Sequence, residues 1–322
     1  MRPTGKLHLG HLVGALDNWV AMQDEYDCFY FVADWHALTS DYADTSALVK
    51  NAYDMVADWI AAGLDPERST LFVQSMVPEH AELNLLLSMT IPIPWLERVP
   101  TYKEQMEQLS EKDLSTIGFL GYPLLQTADI IIYNAQFVPV GDDQVPHLEL
   151  SREIVRRFHN FFGELFVEPF PKLTKESRLP GLDNRKMSKS YNNTINLSDD
   201  AEAVRKKVMQ MYTDPNRVRA DIPGNVDGNP VFTYHDAFNP DKAEVEDLKA
   251  RYRAGKVGDV EVKTKLAKAL NARLDPLRAR RAAVLAKPST LRDILHEGSR
   301  KARAIAAETM ERVRAAVKLK YS

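Results

Sequence analysis

The stretch Pro3-Thr4-Gly5-Lys6-Leu7-His8-Leu9-Gly10-His11 leads directly into apolar residues at helical spacing. Gly5 and Gly10 permit a close approach of the backbone to a ligand. A helix that starts after this turn points the positive end of its dipole back at the turn, and that end binds phosphate. His8 and His11 add two neutral donors for phosphate oxygens. The stretch predicts a phosphate-binding turn, although two surface histidines would explain this pattern equally well when it is taken alone.

The segments that follow the turn alternate between helical and strand-like patterns. Apolar residues recur at helical spacing over 12–22, 47–62 and 145–158. Two short apolar runs, 29–33 and 70–73, are typical of strands buried on both faces. This alternation predicts an α/β fold built on a doubly wound, Rossmann-type parallel sheet. In such sheets ligands bind at the carboxyl ends of the strands.

Two regions depart from this alternation. Residues 79–117 predict a helical insertion between the two halves of the sheet, and helical patterns dominate from residue 198 onward. We therefore predict a Rossmann-type domain over 1–197 and an all-α domain over 198–322. Breaks in the C-terminal helices are predicted at 255–258, Pro276 and Pro288, and the stretch 293–319 forms either one helix or two helices that are divided at Gly298.

A second polar motif, Arg185-Lys186-Met187-Ser188-Lys189-Ser190, lies about 175 residues after His11. Lys186 and Lys189 are mobile positive charges that can close over a triphosphate. Adenylyl transfer depends mainly on positioning and charge neutralisation, so the two lysines would assist in-line displacement at the α-phosphate. A solvated basic loop is the alternative explanation for this motif alone.

Composition excludes several classes of protein. The apolar fraction of 44% and the charged fraction of 27% are those of a soluble globular protein. No run approaches the roughly 20 apolar residues that span a bilayer, and the N-terminus does not resemble a signal peptide. The single cysteine, Cys28, excludes an internal disulfide and a cysteine-built zinc or iron–sulfur site. We expect a cytoplasmic protein that makes no membrane contact.

The charges are distributed unevenly along the chain. Residues 250–322 hold 19 Lys and Arg against seven Asp and Glu, a local charge of +12, whereas residues 1–249 carry −15. A basic segment on an acidic body indicates a polyanion partner for that segment or a solvated helical surface. Eight basic residues are candidates for phosphate contacts: Arg251, Arg253, Arg278, Arg280, Arg281, Arg300, Lys301 and Arg303.

The two motifs together resemble the H-I-G-H and K-M-S-K-S signatures of the class I aminoacyl-tRNA synthetases. Three stretches between them resemble the tryptophanyl-tRNA synthetase family: Ala33-Asp34-Trp35-His36-Ala37-Leu38-Thr39, Tyr122-Pro123-Leu124-Leu125-Gln126-Thr127-Ala128-Asp129 and Val138-Pro139-Val140-Gly141-Asp142-Asp143-Gln144. The resemblance covers nearly the whole chain and is strongest from Arg2 to Asn192. It implies an enzyme that activates L-tryptophan with ATP and Mg²⁺, releases pyrophosphate and transfers tryptophan to tRNA(Trp).

The same resemblance implies roles for individual residues. Asp129 would accept the indole N–H, which can only donate, while Tyr122 and Gln144 would hold the substrate ammonium. The whole tryptophan site would be His36, Tyr122, Gln126, Asp129, Val138, Val140 and Gln144. The catalytic residues would be His8, His11, Lys186 and Lys189. The ATP site would be Arg2, Pro3, Thr4, Gly10, His11, Gly141, Asp142, Asp143, Leu179, Lys186, Met187, Ser188, Lys189 and Ser190.

Further expectations follow from the family. The insertion at 79–117 would contribute to a homodimer, and residues 198–322 would recognise the anticodon. Relatives carry a strand before the first signature, so Met1 is either an internal methionine or the true start of a chain whose sheet lacks a central strand. Some relatives hold an iron–sulfur cluster on four cysteines, which this chain does not have. Gln126 stands where many bacterial relatives have methionine.

Three alternatives remain open at this point. A tyrosyl-tRNA synthetase shares the fold and both signatures, although the stretches 33–39 and 138–144 argue against it. A nucleotidyltransferase without tRNA could use the same two motifs, but the basic helical C-terminal region argues against that class. A non-catalytic relative that binds tryptophan is the third alternative, and the intact His8, His11, Lys186 and Lys189 argue against it.

Overall fold

The computed structural model describes residues 1–108, 111–173, 179–187, 191–217 and 219–321. Across these residues no helix is both long enough and apolar enough to cross a membrane. The elements of the first half are α1 (Leu9–His11), α2 (Asp17–Met22), β1 (Cys28–Val32), α3 (Asp34–Asp41), α4 (Leu48–Ala62), β2 (Ser69–Val73), α5 (Glu79–Ser88), α6 (Ile93–Glu97), α7 (Pro100–Gln108), α8 (Ile117–Leu120), α9 (Tyr122–Ile131), β3 (Phe137–Val140), α10 (Val145–Phe162) and β4 (Phe170–Leu173). The elements of the second half are α11 (Ala201–Met209), α12 (Pro230–Phe238), α13 (Lys242–Arg253), α14 (Asp259–Leu285) and α15 (Pro288–Ala316).

The described strands form two parallel pairs. Strand β1 pairs with β2, with Cys28 opposite Ser69 and Val32 opposite Val73. Strand β3 pairs with β4 in the same parallel sense. Helices connect the strands of each pair, as parallel pairing requires. The predicted α/β class with parallel strands and C-terminal helices is confirmed.

A cavity of about 550 Å³ lies between the two pairs and is lined by residues of β1 and β3. Met1 lies beside β1: its amino group donates to the Phe31 carbonyl at 2.7 Å, and the Ala33 N–H donates to the Met1 carbonyl at 2.9 Å. Burial lowers the pKa of this amino group to about 5.

The helices predicted in the first half are present with small shifts in their ends. The pattern over 12–22 forms a π-helical segment, Leu12–Leu16, followed by α2. A π-helical turn inside a helix is often found at functional sites. The insertion at 79–117 is helical, as predicted, and consists of α5, α6 and α7 with the start of α8.

The predicted helix break at Pro276 is wrong, and of the two possibilities for 293–319 the single helix is correct. Pro276 lies inside α14, where its ring removes one backbone hydrogen bond. Both Pro276 and Ala272, whose carbonyl loses that bond, are exposed, so water can satisfy the carbonyl. Gly298 lies inside the uninterrupted helix α15. A Cβ at Gly298 would lie 1.9 Å from the carbonyl oxygen of Leu71, so the glycine allows α15 to pack directly on β2.

The C-terminal helices pack closely on the first half. Helix α14 contacts α4, and α15 contacts β2 and α5. Four side chains of α15 belong to the same buried core as α5, α9 and α10: Ala302, Ala306, Met310 and Val313. The boundary near residue 197 stays a prediction, because the two parts share their cores.

Several of the basic residues that are candidates for RNA contact form ion pairs or hydrogen bonds within the chain. Arg281 contacts Asp58 at 2.6 Å and Asp54 at 3.0 Å, and Arg303 contacts Glu79 at 2.9 Å. Two more act on backbone carbonyls, because Arg280 donates to Ala61 and Arg278 donates to Asp199. Arg278 and Arg281 are half-buried in these contacts, whereas Arg280 and Arg303 remain exposed, so the assignment of these basic residues to RNA stays a prediction.

Candidate active site

The two signature motifs lie side by side. The Leu9 N–H donates to the Ile195 carbonyl at 3.0 Å, and the Leu197 N–H donates to the Leu7 carbonyl at 2.9 Å. The first signature turn is therefore joined to the segment that follows the lysine loop. A Cβ at Gly10 would lie 3.0 Å from the Met187 sulfur, so this glycine permits direct contact between the motifs.

The two histidines of the first signature are close to each other. Their ring centroids are 3.8 Å apart, and the His8 backbone N–H donates to Nδ1 of His11 at 3.1 Å. Both side chains are half-buried. Three of the residues expected on the triphosphate path precede them; Arg2 and Thr4 are exposed and Pro3 is buried.

The lysine loop is held at its base by Asn193. Its side-chain amide donates to the Lys186 carbonyl at 3.0 Å and to Asp183 at 2.8 Å. The hydrogen bonds from Asn193 and Arg185 outweigh desolvation and lower the pKa of Asp183 to about 2. Leu179, expected near the adenine, is buried at the entrance to this loop. The predicted ATP contacts Ser188, Lys189 and Ser190 lie outside the described residues.

Asp129 is a buried carboxylate with three hydrogen-bonding neighbours. Its Oδ2 atom contacts Nε2 of His36 at 2.8 Å, and its Oδ1 atom contacts Nδ1 of His80 at 2.6 Å. The side-chain amide of Gln74 donates to both oxygens, at 2.8 and 2.9 Å. Burial alone would raise the pKa of Asp129, but the hydrogen bonds from His36 and His80 outweigh it and hold the pKa at about 2. Asp129 is therefore an ionised acceptor at neutral pH.

Helix α9 presents Tyr122, Gln126 and Asp129 on one face, because these residues are four and three positions apart. The Tyr122 hydroxyl contacts Thr101 at 3.0 Å and Nε2 of His147 at 3.2 Å. Burial raises the pKa of Tyr122 and lowers the pKa of His147, so both are neutral at pH 7. Tyr122 is thus tied to the insertion through Thr101 and to α10 through His147.

The end of β3 supplies the remaining expected residues. Val140 is buried and Val138 is half-buried, whereas Asp142 and Asp143 are exposed. Gln144 donates to Asp143 at 3.0 Å. The two residues expected to hold the ammonium group thus have different partners here: Tyr122 contacts Thr101 and His147, and Gln144 contacts Asp143.

Sequence reasoning missed four residues around this site: Gln74, His80, Thr101 and His147. A signal existed for Gln74, because it directly follows β2, and polar residues at the carboxyl end of a parallel strand are candidates for ligand binding. The contacts of the other three depend on pairings between distant segments, which no local pattern reports.

Comparison with known proteins agrees with this geometry. Residues 1–275 match the family described as tRNA synthetases class I (W and Y). The tryptophan–tRNA ligase of Thermotoga maritima is 50% identical over 322 residues, which cover 100% of this chain and 98% of that relative. The tryptophan–tRNA ligase of Treponema pallidum is 48% identical over 324 residues, covering 99% and 95%. The crystal structure of tryptophanyl-tRNA synthetase from Campylobacter jejuni, complexed with ADP and tryptophan, has 33% identity and a TM-score of 0.89, covering 99% of this chain and 98% of that one. The chain therefore belongs to the class I tRNA synthetases of the tryptophan and tyrosine family.

Proposed function

We propose that this chain is a tryptophan–tRNA ligase. A carboxylate oxygen of tryptophan attacks the α-phosphorus of ATP, which forms tryptophanyl-adenylate and releases pyrophosphate. A ribose hydroxyl at the end of tRNA(Trp) then attacks the activated carbonyl, and AMP leaves. The observation that carries the substrate assignment is the ionised, buried Asp129 on the same helix face as Tyr122 and Gln126.

Asp129 selects the indole ring in this proposal. An indole N–H can only donate, and a carboxylate can only accept, so the two groups are complementary. Phenylalanine offers no donor and so returns no hydrogen bond to Asp129 when it displaces His36, and a site built to pair a donor can reject such an analogue by about 10⁴-fold or more. Val138 and Val140 pack against the ring, His36 lies beside the amino acid, and Tyr122 with Gln144 holds the ammonium group.

The signature motifs act on the triphosphate. His8 and His11 donate hydrogen bonds to phosphate oxygens as negative charge develops, and Lys186 and Lys189 neutralise the leaving pyrophosphate. Gly10 supports this arrangement because it lets Met187 approach the turn closely. Gly141, Asp142, Asp143 and Leu179 bind the ribose and the adenine, with Arg2, Pro3 and Thr4 along the phosphates and Met187, Ser188 and Ser190 completing the loop.

Mg²⁺ accompanies ATP in this proposal. The described residues contain no group of three or more His, Cys, Asp or Glu side chains arranged as metal ligands. The phosphates themselves are the usual ligands of Mg²⁺ in such sites. The described side chains therefore do not form a dedicated Mg²⁺ cage, and the roles of the residues above do not depend on one.

We place tRNA(Trp) on the C-terminal helices of residues 198–322 and a second copy of the chain on the insertion. We assign phosphate contact to the exposed basic residues of these helices, which include five of the first candidates and five further lysines: Arg253, Arg280, Arg300, Lys301, Arg303, Lys256, Lys268, Lys287, Lys318 and Lys320. For the dimer, the support is a set of exposed apolar side chains on α5 and α6 and between them: Leu85, Met89 and Ile93.

Amino-acid-dependent ATP–pyrophosphate exchange tests the proposal, with tryptophan, tyrosine and phenylalanine supplied separately. We expect exchange with tryptophan alone, and a strong loss in Asp129→Asn. Exchange with tyrosine would keep the adenylate chemistry but overturn the pocket assignment. Exchange with none of the three would favour a non-catalytic protein that binds tryptophan.

A further inference from the structure

A line of hydrogen bonds, the first buried and the second partly buried, runs from Asp129 through His80 to Tyr133. Nδ1 of His80 lies 2.6 Å from Asp129, and Nε2 of the same ring lies 2.6 Å from the Tyr133 hydroxyl. The side chain of His80 is fully buried. None of these partners belongs to the signature motifs, and the proposed chemistry above does not use His80 or Tyr133.

The chemistry of the partners fixes the direction of these hydrogen bonds. An ionised carboxylate can only accept, so His80 must donate to Asp129 from Nδ1. A neutral ring protonated at Nδ1 carries a lone pair on Nε2, which accepts from the Tyr133 hydroxyl. Burial raises the pKa of Tyr133, so that hydroxyl stays protonated. Tyr133 therefore selects the tautomer of His80 that donates to Asp129.

Gln74 completes the set on the other side. Its amide nitrogen bridges both carboxylate oxygens, and the residue is fully buried. A carboxylate has about four acceptor sites, and His80, Gln74 and His36 occupy them. Of these donors, His36 has a side chain with some solvent access, 12% against 0% for His80. The indole N–H can therefore reach Asp129 by replacing His36, while His80 and Gln74 stay in place.

We propose that His80 and Gln74, with Tyr133 behind His80, are positioning residues that hold Asp129 ionised and oriented toward the substrate indole. This inference rests on the proposed function, since it assigns the residues that prepare Asp129 for tryptophan. They act through Asp129 and do not touch the reacting atoms. Their loss weakens the binding of tryptophan in the ground state and the transition state alike, so KM rises while kcat changes little.

The decisive substitution is His80→Ala, measured by ATP–pyrophosphate exchange over a range of tryptophan concentrations. Loss of one hydrogen bond to a buried charge predicts a KM for tryptophan about 10- to 100-fold higher, with kcat within about 3-fold. His80→Asn keeps an N–H close to the position of Nδ1 and should restore most of the affinity. Tyr133→Phe should give a smaller rise, because only the choice of tautomer is lost.

The pH dependence gives a second readout that a purely structural role would not move. The groups that face Asp129 or its partners and can carry charge are His36, His80, the Met1 amino group, Tyr133 and Glu79. With its donors in place, Asp129 stays ionised down to pH 5, so its own titration leaves KM flat. Without His80 the pKa of Asp129 rises, and KM should increase further as the pH falls from 8 to 5.

A matched control is His235→Ala, since His235 is also fully buried but contacts the Val262 carbonyl in the C-terminal half. It should lower the melting temperature without changing KM. An unchanged KM in both His80→Ala and Tyr133→Phe would overturn the inference, as would equal KM values for His80→Ala and His80→Asn. If Asp129→Asn leaves KM unchanged, the proposed indole contact fails instead. If no exchange occurs, calorimetric titration with tryptophan can rank the affinities of the same variants.

Discussion

Replacing Gly298 with alanine should loosen the contact between the C-terminal helix and the sheet. Gly298 lies in the middle of α15, and an added Cβ would fall 1.9 Å from the oxygen and 2.7 Å from the carbon of the Leu71 carbonyl. Both atoms belong to the backbone of β2, so no side-chain rotation relieves the clash. The helix must move away from the strand, and the hydrogen bond from the Val73 N–H to Ser299 at 3.2 Å is stretched or lost.

The magnitude follows from three opposing effects. Alanine is favoured over glycine inside a helix by about 1 kcal/mol. Overpacking against a rigid neighbour costs roughly 3 kcal/mol, and the lost hydrogen bond costs about 1 kcal/mol more. We therefore expect the free energy of unfolding to fall by about 3 kcal/mol, which is a large fraction of the stability of a typical domain.

Urea unfolding followed by circular dichroism measures this change, and Gly14→Ala is the matched control. Gly14 also lies in a helical segment, but a Cβ there would meet nothing within 4 Å. That variant should unfold at the same or a higher urea concentration. Gly298→Ala with unchanged or increased stability would refute the reasoning, because helix propensity would then outweigh the predicted clash.

Three further predictions concern charge and catalysis. Arg281→Ala should lower the free energy of unfolding by about 3 kcal/mol, because it leaves the buried Asp58 carboxylate without its partner; thermal melts should show little change for the exposed Arg300→Ala. Burial lowers the pKa of His147 and His235, so their contribution to stability should be complete above the unfolded histidine pKa of about 6.5 and should decrease below it. Urea midpoints measured between pH 5 and 8 should depend less on pH when both histidines are replaced by glutamine. Lys189→Ala should slow adenylate formation severely in exchange assays and leave tryptophan binding by calorimetry nearly unchanged.

The alternating pattern of the first half was readable from the sequence because it is local. The apolar runs at 29–33 and 70–73 became β1 and β2 with ends shifted by one residue or less. Helix α4 begins and ends within one residue of the prediction for the same reason. A periodic apolar pattern records burial on one face and a continuous apolar run records burial on both, and either signal is contained in a short stretch of sequence.

The predicted break at Pro276 failed, and the choice at Gly298 stayed open, because local rules do not include what the residue faces. Proline costs a helix one hydrogen bond, but solvent can supply the missing partner on an exposed face. Glycine weakens a helix on average, but at residue 298 it permits a contact with Leu71 that any side chain would prevent. Whether the helix tolerates each residue depends on what that residue contacts in the tertiary structure, which the sequence of the helix alone does not show.

In the candidate site, too, one residue could be named from the sequence but its contacts could not. The identity of Asp129 as a key residue was predicted by family resemblance, but its partners lie 49, 55 and 93 positions away along the chain. No spacing rule connects His80, Gln74 and His36, because three separate elements bring them to one carboxylate. The ion pairs that the basic C-terminal segment makes within the chain were not predicted, for a related reason. Its charge was counted without the acidic surface of the same chain, against which Arg281 and Arg303 are paired.

The packing of α15 on β2 also connects the C-terminal helices to the proposed tryptophan site. Ser299 of α15 accepts a hydrogen bond from the Val73 N–H, and the next residue along the chain is Gln74, which bridges both oxygens of Asp129. A displacement of α15 that takes a Cβ on residue 298 from 1.9 Å to at least 3.0 Å from the Leu71 oxygen therefore acts on the backbone that carries one of the donors to the carboxylate. Because packed cores pass on such shifts instead of absorbing them, Gly298→Ala should raise the KM for tryptophan as well as lower stability. A variant that loses stability but keeps the wild-type KM would show that the two regions are energetically independent.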